Sequence, residues 1–555
     1  MMIVSVLPIS VMSKVQALKQ SRRQRRTDMQ HSQSNVNCSD ADHSLPHIIV
    51  PIWEHANNRP DQWAVKEDSR AVSYAQLKEM IEHQMVVFRE GGISISDPVL
   101  LLLDVCIESV VAYWALHGIG AILVIGDPTG TQSNIEHYLD VSGAKNIVCG
   151  ARADTNIETA EDKTRWAIVD EVTGQDIGVW QTMHPASCAN NDGCTVLPAD
   201  CALILFSSGT TSTPKAIVHS RDAMQALHKT LLQTWRLSSD DVVLGALPFH
   251  TIYGLIFSAA SALYAGSTLV LLDRFHPERA LEAIERHKVT TAAFVPAMII
   301  MILNLEGKER FDRSTVRMLY SASAPISETD IKRFVAFSGA PVICNYGMTE
   351  IPGAAVEVAG NDHVHGSVGL VSPDFGVTIR NEKDQILPIG ETGEVALRGP
   401  TLMLKYLGDP DKTADRVRDG WIYTQDKGRI DGEGNIFLLG RKSEMIIRGG
   451  LNISPLEIES VLSIHPWVSD VAVVGPDDEV FGQTVSAFVV PSLGSKEQGL
   501  VETLMVHCKN TLAPPKVPSE FLFTDEIPRN AGGKIDRKAL LEMRNGRMAT
   551  PKGKS

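Results

Sequence analysis

Nine consecutive residues, Ser207-Ser208-Gly209-Thr210-Thr211-Ser212-Thr213-Pro214-Lys215, come straight after the apolar run 202–206. Hydroxyls, backbone N–H groups and a closing lysine in one loop are what a polyphosphate needs, because its negative charge is dispersed over many oxygens and is met by donors and dipoles around them. The stretch is a candidate phosphate loop, although taken alone it also fits an ordinary polar surface loop. It is not a Walker A loop: no Gly-Lys-Ser/Thr triplet follows Gly209 at the required distance, and no GxGxxG suggests a dinucleotide fold.

Four further segments carry groups that complement a nucleotide. Asn345-Tyr346-Gly347-Met348-Thr349-Glu350 follows a predicted strand and offers an aromatic face for a purine, a hydroxyl for phosphate and a hard carboxylate for Mg²⁺. Gly420-Trp421-Ile422-Tyr423-Thr424-Gln425-Asp426 ends in a carboxylate suited to two ribose hydroxyls. Gly440-Arg441-Lys442-Ser443-Glu444-Met445-Ile446-Ile447-Arg448-Gly449-Gly450 leads into Asn452-Ile453-Ser454-Pro455-Leu456-Glu457-Ile458-Glu459. Pro528-Arg529-Asn530-Ala531-Gly532-Gly533-Lys534-Ile535-Asp536-Arg537 lies near the C-terminus. Singly, each also reads as something plain: a core tyrosine, a solvated aspartate, a glycine-rich turn, a basic tail.

In this order and spacing the five segments resemble the acyl-adenylate-forming (AMP-binding) superfamily of acyl-CoA synthetases, non-ribosomal adenylation domains and beetle luciferases, with the aryl- or fatty-acid–CoA ligases as the type. The likeness covers residues 48–541 and begins at Trp53-Glu54-His55-Ala56 with Pro60-Asp61 and Ser73-Tyr74. It implies an acid–thiol ligase that uses ATP, Mg²⁺ and coenzyme A. By the resemblance, Ser207, Ser208, Gly209, Thr210, Thr211 and Lys215 cradle the β- and γ-phosphates of ATP. Glu350 helps hold Mg²⁺ and Thr349 contacts the α-phosphate. Asn345, Tyr346 and the turn Ser323-Ala324-Pro325 line the adenine site, and Asp426 and Arg441 hold the ribose. Lys534 reaches from the small domain to the carboxylate and α-phosphate as the acyl-adenylate forms, which makes it the strongest catalytic candidate. Family members then rotate the small domain, withdrawing the lysine and bringing the glycine-rich segment, here Gly449-Gly450, beside the pantetheine tunnel.

Leu247-Pro248-Phe249-His250 falls where related aryl- and fatty-acid ligases keep an aromatic or histidine gate beside the acyl pocket. Amino-acid-activating relatives carry an Asp where His250 stands, so a fatty or aromatic acid is expected, with a satisfied core histidine as the competing reading of His250. The other pocket candidates, Ile252, Tyr253, Phe294, Ala322, Gly347, Met348, Ile351 and Pro352, suit an aliphatic or aromatic acid. Only about twenty residues follow Lys534, so the acceptor thiol arrives separately. CoA is the default acceptor and a free-standing carrier protein the alternative; a homodimer is left open. A degenerate nucleotide-binding member without catalysis and an oxygenase of the luciferase kind are the competing classes. Three positions depart from the family pattern: Ser212 and Gln425 stand where it has Gly, and Ser443 at a hinge position that usually holds Asp or Lys. The departures leave Glu350, Asp426, Arg441 and Lys534 in place.

The elements that must position these residues read as alternating strands and helices. Short apolar or β-branched runs at 98–104, 121–125, 146–149, 201–207, 242–246, 268–272, 291–295 and 342–345 are separated by helical patterns, which implies βαβ units and an α/β fold. After about Gly366 short strands with glycine-rich turns (376–380, 393–399, 434–440) predict a β subdomain closing the large domain. A second, smaller α/β unit follows, with a helix at 454–463, strands at 468–475 and 484–490 and a helix at 501–512. The expected division is an extension over 1–45, a large domain over 46–441, a small mobile domain over 442–545 and a tail over 546–555, with the hinge at 441–443.

Composition agrees with a globular chain of more than one domain: 555 residues, 44% hydrophobic and 21% charged. The formal net charge of −14 repels phosphate backbones, so nucleic acid is not an expected partner. Eight sparse cysteines fit no metal or redox spacing and read as reduced thiols. Residues 242–272 lack Asp, Glu, Lys and Arg, yet contain Pro248, His250, Gly254 and Gly266. They read as a strand, a buried helix at 253–264 and a second strand, not as a membrane span. The first thirty residues place an apolar run before a basic one, the reverse of a secretory signal. A cytoplasmic protein is expected, with organelle import through the Arg-rich extension left open.

Overall fold

The computed structural model describes residues 47–150, 164–169, 179–184, 197–207, 214–357, 364, 366–492, 499–529 and 534–549, all within one unit spanning Pro46–Ser555. Two α/β sheets form its larger part. The first orders its strands Lys405–Tyr406, Lys215–Ser220, Cys201–Ser207, Ile122–Ile125, Pro98–Leu102, Asn146–Cys149, Thr164–Val169 and Val179–His184. Its central strands pair in parallel, as expected for strands joined by helices. Cys201–Ser207 and Lys215–Ser220 instead form an antiparallel hairpin with Ser207 opposite Lys215. The candidate phosphate loop is therefore a hairpin connection between two strands, unlike the strand-to-helix connection of a Walker A loop.

The second sheet runs in parallel from Trp63–Lys66 through Thr268–Leu271, Val242–Gly245, Thr291–Phe294 and Met318–Ser321 to Val342–Met348. There it changes sense. Ile351–Val356, Ser367–Val371, Asn435–Arg441, Trp421–Ile430, Gly393–Arg398 and Gly376–Arg380 continue it antiparallel. The β subdomain expected as a closing unit is thus an extension of this fourteen-stranded sheet, hydrogen-bonded to it through one hairpin.

A single apolar core fills the space between the two sheets, taking Leu101 and Leu203 from one and Val65, Leu269 and Tyr320 from the other. Helix Ile107–Ile119 is buried at every position, which explains why its sequence is apolar all round rather than on one stripe. Helix Tyr74–Glu90 starts at a capping box between Ser73 and Gln76. The charge-free stretch is strand, helix and strand as expected, but Tyr253–Ala260 is a π-helix that passes into an α-turn at Ser261–Tyr264. Phe294 and Ile351, expected to line the acyl pocket, are fully buried; Phe294 packs edge-on against Phe275 and Phe334.

Residues beyond Lys442 build their own cores. One gathers Ile446, Ile458, Val471, Val489, Leu504 and Phe521, and the other Ala472, Phe488, Ile527 and Leu540. Helix Pro455–Ser463, capped by Ser454, strands Val468–Val474 and Ser486–Pro491 and helix Leu500–Thr511 stand within two residues of their expected bounds. A 3-10 turn, Lys442–Glu444, joins this part to the large sheet. None of the cysteines described forms a disulfide, and no helix among the described residues is long and apolar enough to cross a membrane.

Candidate active site

Thr349 and Glu350 form the two-residue turn between the strands Val342–Met348 and Ile351–Val356. The turn is clamped from two sides: Met403 N–H donates to the Glu350 carbonyl at 2.8 Å, and His219 Nε2 lies 2.8 Å from the Thr349 carbonyl. That contact requires the Nε2–H tautomer of a neutral His219, and burial lowers its pKa to about 4. The Glu350 carboxylate is itself buried and accepts from the Tyr406 hydroxyl at 2.6 Å through Oε1. Asn345 and Tyr346 lie within the strand, which continues past its expected end at Asn345. Asn345 Oδ1 accepts from Trp235 Nε1 at 3.0 Å.

Asp426 and Arg441 are direct cross-strand neighbours on Trp421–Ile430 and Asn435–Arg441, with Arg441 Nε 3.2 Å from Asp426 Oδ1. The Tyr346 hydroxyl donates to the other oxygen, Oδ2, at 2.8 Å. Burial raises the Asp426 pKa, and Arg441, Tyr346, Lys534 and Arg416 oppose the rise. The register slips opposite this point, between Glu394 and Ala396, where Gln425 takes φ of 64°. Such a bulge places a residue in the left-handed region, where glycine has no Cβ to strain. The Gln425 departure is therefore a side chain in a glycine conformation, and the Asp426 carboxylate beside it still meets Tyr346 and Arg441. Ser323 also has positive φ, 74°, at the head of the turn Ser323-Ala324-Pro325.

Lys534 immediately precedes Ile535, which pairs with Arg529 in an isolated antiparallel bridge. Arg537 fixes that segment to the small part, reaching Glu459 Oε1 and the Val473 carbonyl, each at 2.6 Å. The Lys534 ammonium lines the same cavity as Tyr346, Glu350, Asp426 and Arg441, on a residue that stays open to solvent. Surrounding atoms and then Arg441 lower its pKa, while Asp426, Glu350 and Glu444 raise it. This cavity, about 2140 Å³, also takes in Lys215, His250, Thr349, Asn345, Ser323, Ala324 and Pro325. Ser208, Gly209, Thr210 and Thr211 lie outside the described residues, as does the side chain of Ser207. Gly449 and Gly450 turn the hairpin Ile446–Arg448 to Leu451–Ile453 at φ of 56° and 83° and do not line the cavity.

Of the residues expected beside the acyl group, Ile252, Tyr253, Ala322, Gly347, Met348 and Pro352 line the cavity, joined by Phe257, Pro296 and Ile300. His250 Nδ1 stands 3.6 Å from Asp127 Oδ1; burial lowers the histidine pKa and Asp127 opposes. Asp127, Tyr406 and Trp235 were not legible as site residues. Asp127 follows an apolar strand in a plain Asp-Pro turn, and the other two act on site residues from far away in the chain.

The comparisons with known proteins agree with this architecture. The family model described as AMP-binding enzyme matches residues 52–407, and that of the AMP-binding enzyme C-terminal domain matches residues 457–534. An indoleacetate–CoA ligase of Aromatoleum aromaticum is 32% identical, over 89% of this chain and 97% of its own. A fatty acid–[acyl-carrier-protein] ligase, ScoC, of Streptomyces coeruleorubidus is 31% identical, over 89% of this chain and 96% of its own. The solved structure of ATP-bound MatB from Rhodopseudomonas palustris superposes with a TM-score of 0.77 at 26% identity, covering 90% of this chain and 99% of that one. The chain belongs to the AMP-binding enzyme family and is of its acyl-CoA synthetase type. It is an enzyme of the AMP-forming acid–thiol ligase class.

Proposed function

We propose that this enzyme activates a fatty or aromatic carboxylic acid as its acyl-adenylate and then transfers the acyl group to the thiol of CoA, releasing pyrophosphate and AMP. A carboxylate is a poor electrophile because its leaving group would be an oxide and its charge repels nucleophiles. Adenylation removes both obstacles. A carboxylate oxygen bonds to the α-phosphorus, the bond from that phosphorus to the bridging oxygen breaks, and the electron pair departs with pyrophosphate. The thiol, with a reference pKa of about 8.5, then attacks the acyl carbon as thiolate and AMP leaves.

The observation that carries the reading is the gathering of Lys534, Glu350, Asp426 and Arg441 around one cavity from both parts of the chain. In the reading, Asp426 and Arg441 hold the ribose, Tyr346 and the turn at Ser323 flank the adenine, and Thr349 meets the α-phosphate. Lys534 supplies positive charge where charge accumulates, a contact whose loss costs about 3 kcal/mol of barrier, or two orders of magnitude in rate. Glu350 suits Mg²⁺: it offers a hard oxygen, Oε2, beside the one held by Tyr406. Among the described residues no group of three His, Cys, Asp or Glu gathers to hold a metal, so phosphate oxygens would supply much of the coordination. When bound, Mg²⁺ would offset polyphosphate charge. The domain division with its hinge at 441–443 belongs to the same proposal, with Gly449-Gly450 reaching the thiol channel once the small part has turned.

A carrier protein is a second acceptor, favoured by the ligase of Streptomyces coeruleorubidus, whose name specifies one. Incubation with ATP, Mg²⁺, CoA and a panel of fatty, aromatic and amino acids, followed by mass spectrometry, tests the proposal. It predicts an acyl-CoA of a non-amino acid together with AMP. Amino acids belong in the panel because Asp127 stands beside His250; aminoacyl products, or none at all, would contradict it.

A further inference from the structure

The ATP end of the cavity carries more positive charge than the family motifs account for. Strand Lys405–Tyr406 pairs with Lys215–Ser220, placing Tyr406 opposite Ile217, and Leu407 N–H donates to the Ala216 carbonyl at 2.9 Å. The next element, helix Pro410–Arg416, is thereby held beside Lys215: the Thr413 hydroxyl accepts from Tyr406 N–H at 3.0 Å and donates to the Asp409 carbonyl at 2.8 Å. Lys412 Nζ stands 5.9 Å from the centre of the Tyr406 ring, whose hydroxyl holds Glu350. Arg416, only 6% exposed, lines the cavity with Lys215, Glu350 and Asp426. Its one Nη2–H bond goes to the Thr424 carbonyl at 3.2 Å, and its buried Nε meets no acceptor among the described residues.

Cations normally enter a protein interior against carboxylates. Here no ion pair among the described residues involves Lys215, Lys412 or Arg416; Glu350 acts on Lys215 and Asp426 on Arg416 only at longer range. Burial first, then Lys412 and Arg416, lower the Lys215 pKa, with Glu350 opposing. An arrangement that repels itself when empty is stabilised by a polyanion.

We propose that Lys412 and Arg416 form, with Lys215, the wall that binds the pyrophosphoryl group of ATP and holds it as it departs. The inference rests on the adenylation reading but concerns residues outside its motifs. Lys412 and Arg416 sit on a helix that follows neither the phosphate loop nor a strand of nucleotide contacts. Their charge stabilises the electron pair that leaves with pyrophosphate when the α-phosphorus changes partners.

Calorimetric titration of the full chain with MgATP, magnesium pyrophosphate and AMP separates this role from general stability. Lys412→Ala, at a half-buried site, is expected to weaken MgATP and pyrophosphate about tenfold to a hundredfold, the range for a lost charge-assisted contact, with AMP changed less than twofold. Lys412→Arg should restore both. Arg416→Gln should behave as Lys412→Ala does if it folds. Unchanged MgATP affinity in Lys412→Ala, or equal losses for MgATP and AMP, overturns the inference. A wild type that binds MgATP yet activates no acid refutes the proposed reaction and leaves this comparison readable; one that binds no MgATP overturns both.

Discussion

The Tyr346 hydroxyl and the Asp426 carboxylate meet at 2.8 Å across two strands of one sheet, eighty positions apart in the chain. The bond aims the carboxylate, and its strand neighbour Arg441 holds the second oxygen. Asp426→Ala is therefore expected to raise the KM for ATP about tenfold to a hundredfold, since it removes a charged acceptor. Tyr346→Phe keeps the ring but frees the carboxylate, so its increase should be smaller, about fivefold. Initial-rate kinetics at saturating acid measure both; an unchanged KM in Asp426→Ala would remove that residue from the nucleotide site.

Gln425 carries backbone strain that its side chain does not offset through any contact described. A non-glycine residue in the left-handed region costs about 1–2 kcal/mol, and the greater freedom of glycine in the unfolded chain returns part of this. Gln425→Gly should raise the thermal midpoint by about 1–3 °C, and the Gln425 N–H bond to Glu394 Oε1 should persist because it is made by the backbone. A lower midpoint would mean that the side chain contributes more than its φ costs.

Three histidines are sealed in the interior as neutral rings. Burial, with His228 and Arg221 adding, lowers His117 to about 3; burial lowers His228 to about 3 and His219 to about 4. In the unfolded chain each would titrate near 6.5. Because the folded values are depressed, the unfolded state binds more protons below about pH 6.5, and stability falls as the pH drops from there toward 4. Thermal midpoints measured across pH 7.5 to 4.5 should fall in that window. His219→Gln, which keeps a donor for the Thr349 carbonyl but cannot take a second proton, should reduce the slope; a slope equal to that of the parent protein would contradict this assignment.

Strand positions were legible because buried strands of the parallel sheets are written as short apolar runs, so Asn146–Cys149 and Cys201–Ser207 stand at their expected bounds; the antiparallel Gly376–Arg380 does too, marked by its glycine-rich turns. Glu350, Asp426, Arg441 and Lys534 stood out as motifs, and the structure sets all four around one cavity. What was not legible depends on pairing between distant segments. The change of sense at Val342–Met348, which joins the expected subdomain to the main sheet, leaves no local mark. A π-helix and an α-helix differ little in apolar period, so Tyr253–Ala260 read as the latter. Phe294 looked like pocket lining, but its ring is packed between Phe275 and Phe334 in the core. No local pattern marks Lys412 and Arg416; the docking of their helix beside Lys215 brings Arg416 to the cavity wall.

The central claim is that Lys534, from the smaller part of the chain, serves the first half-reaction and not the second. The direct test is to measure both half-reactions in Lys534→Ala: pyrophosphate exchange with the preferred acid, and thioester formation from supplied acyl-adenylate and CoA. The account predicts that exchange falls about a hundredfold or more while thioester formation stays within a few-fold of the parent enzyme. Equal losses in the two, or exchange that survives, would contradict it.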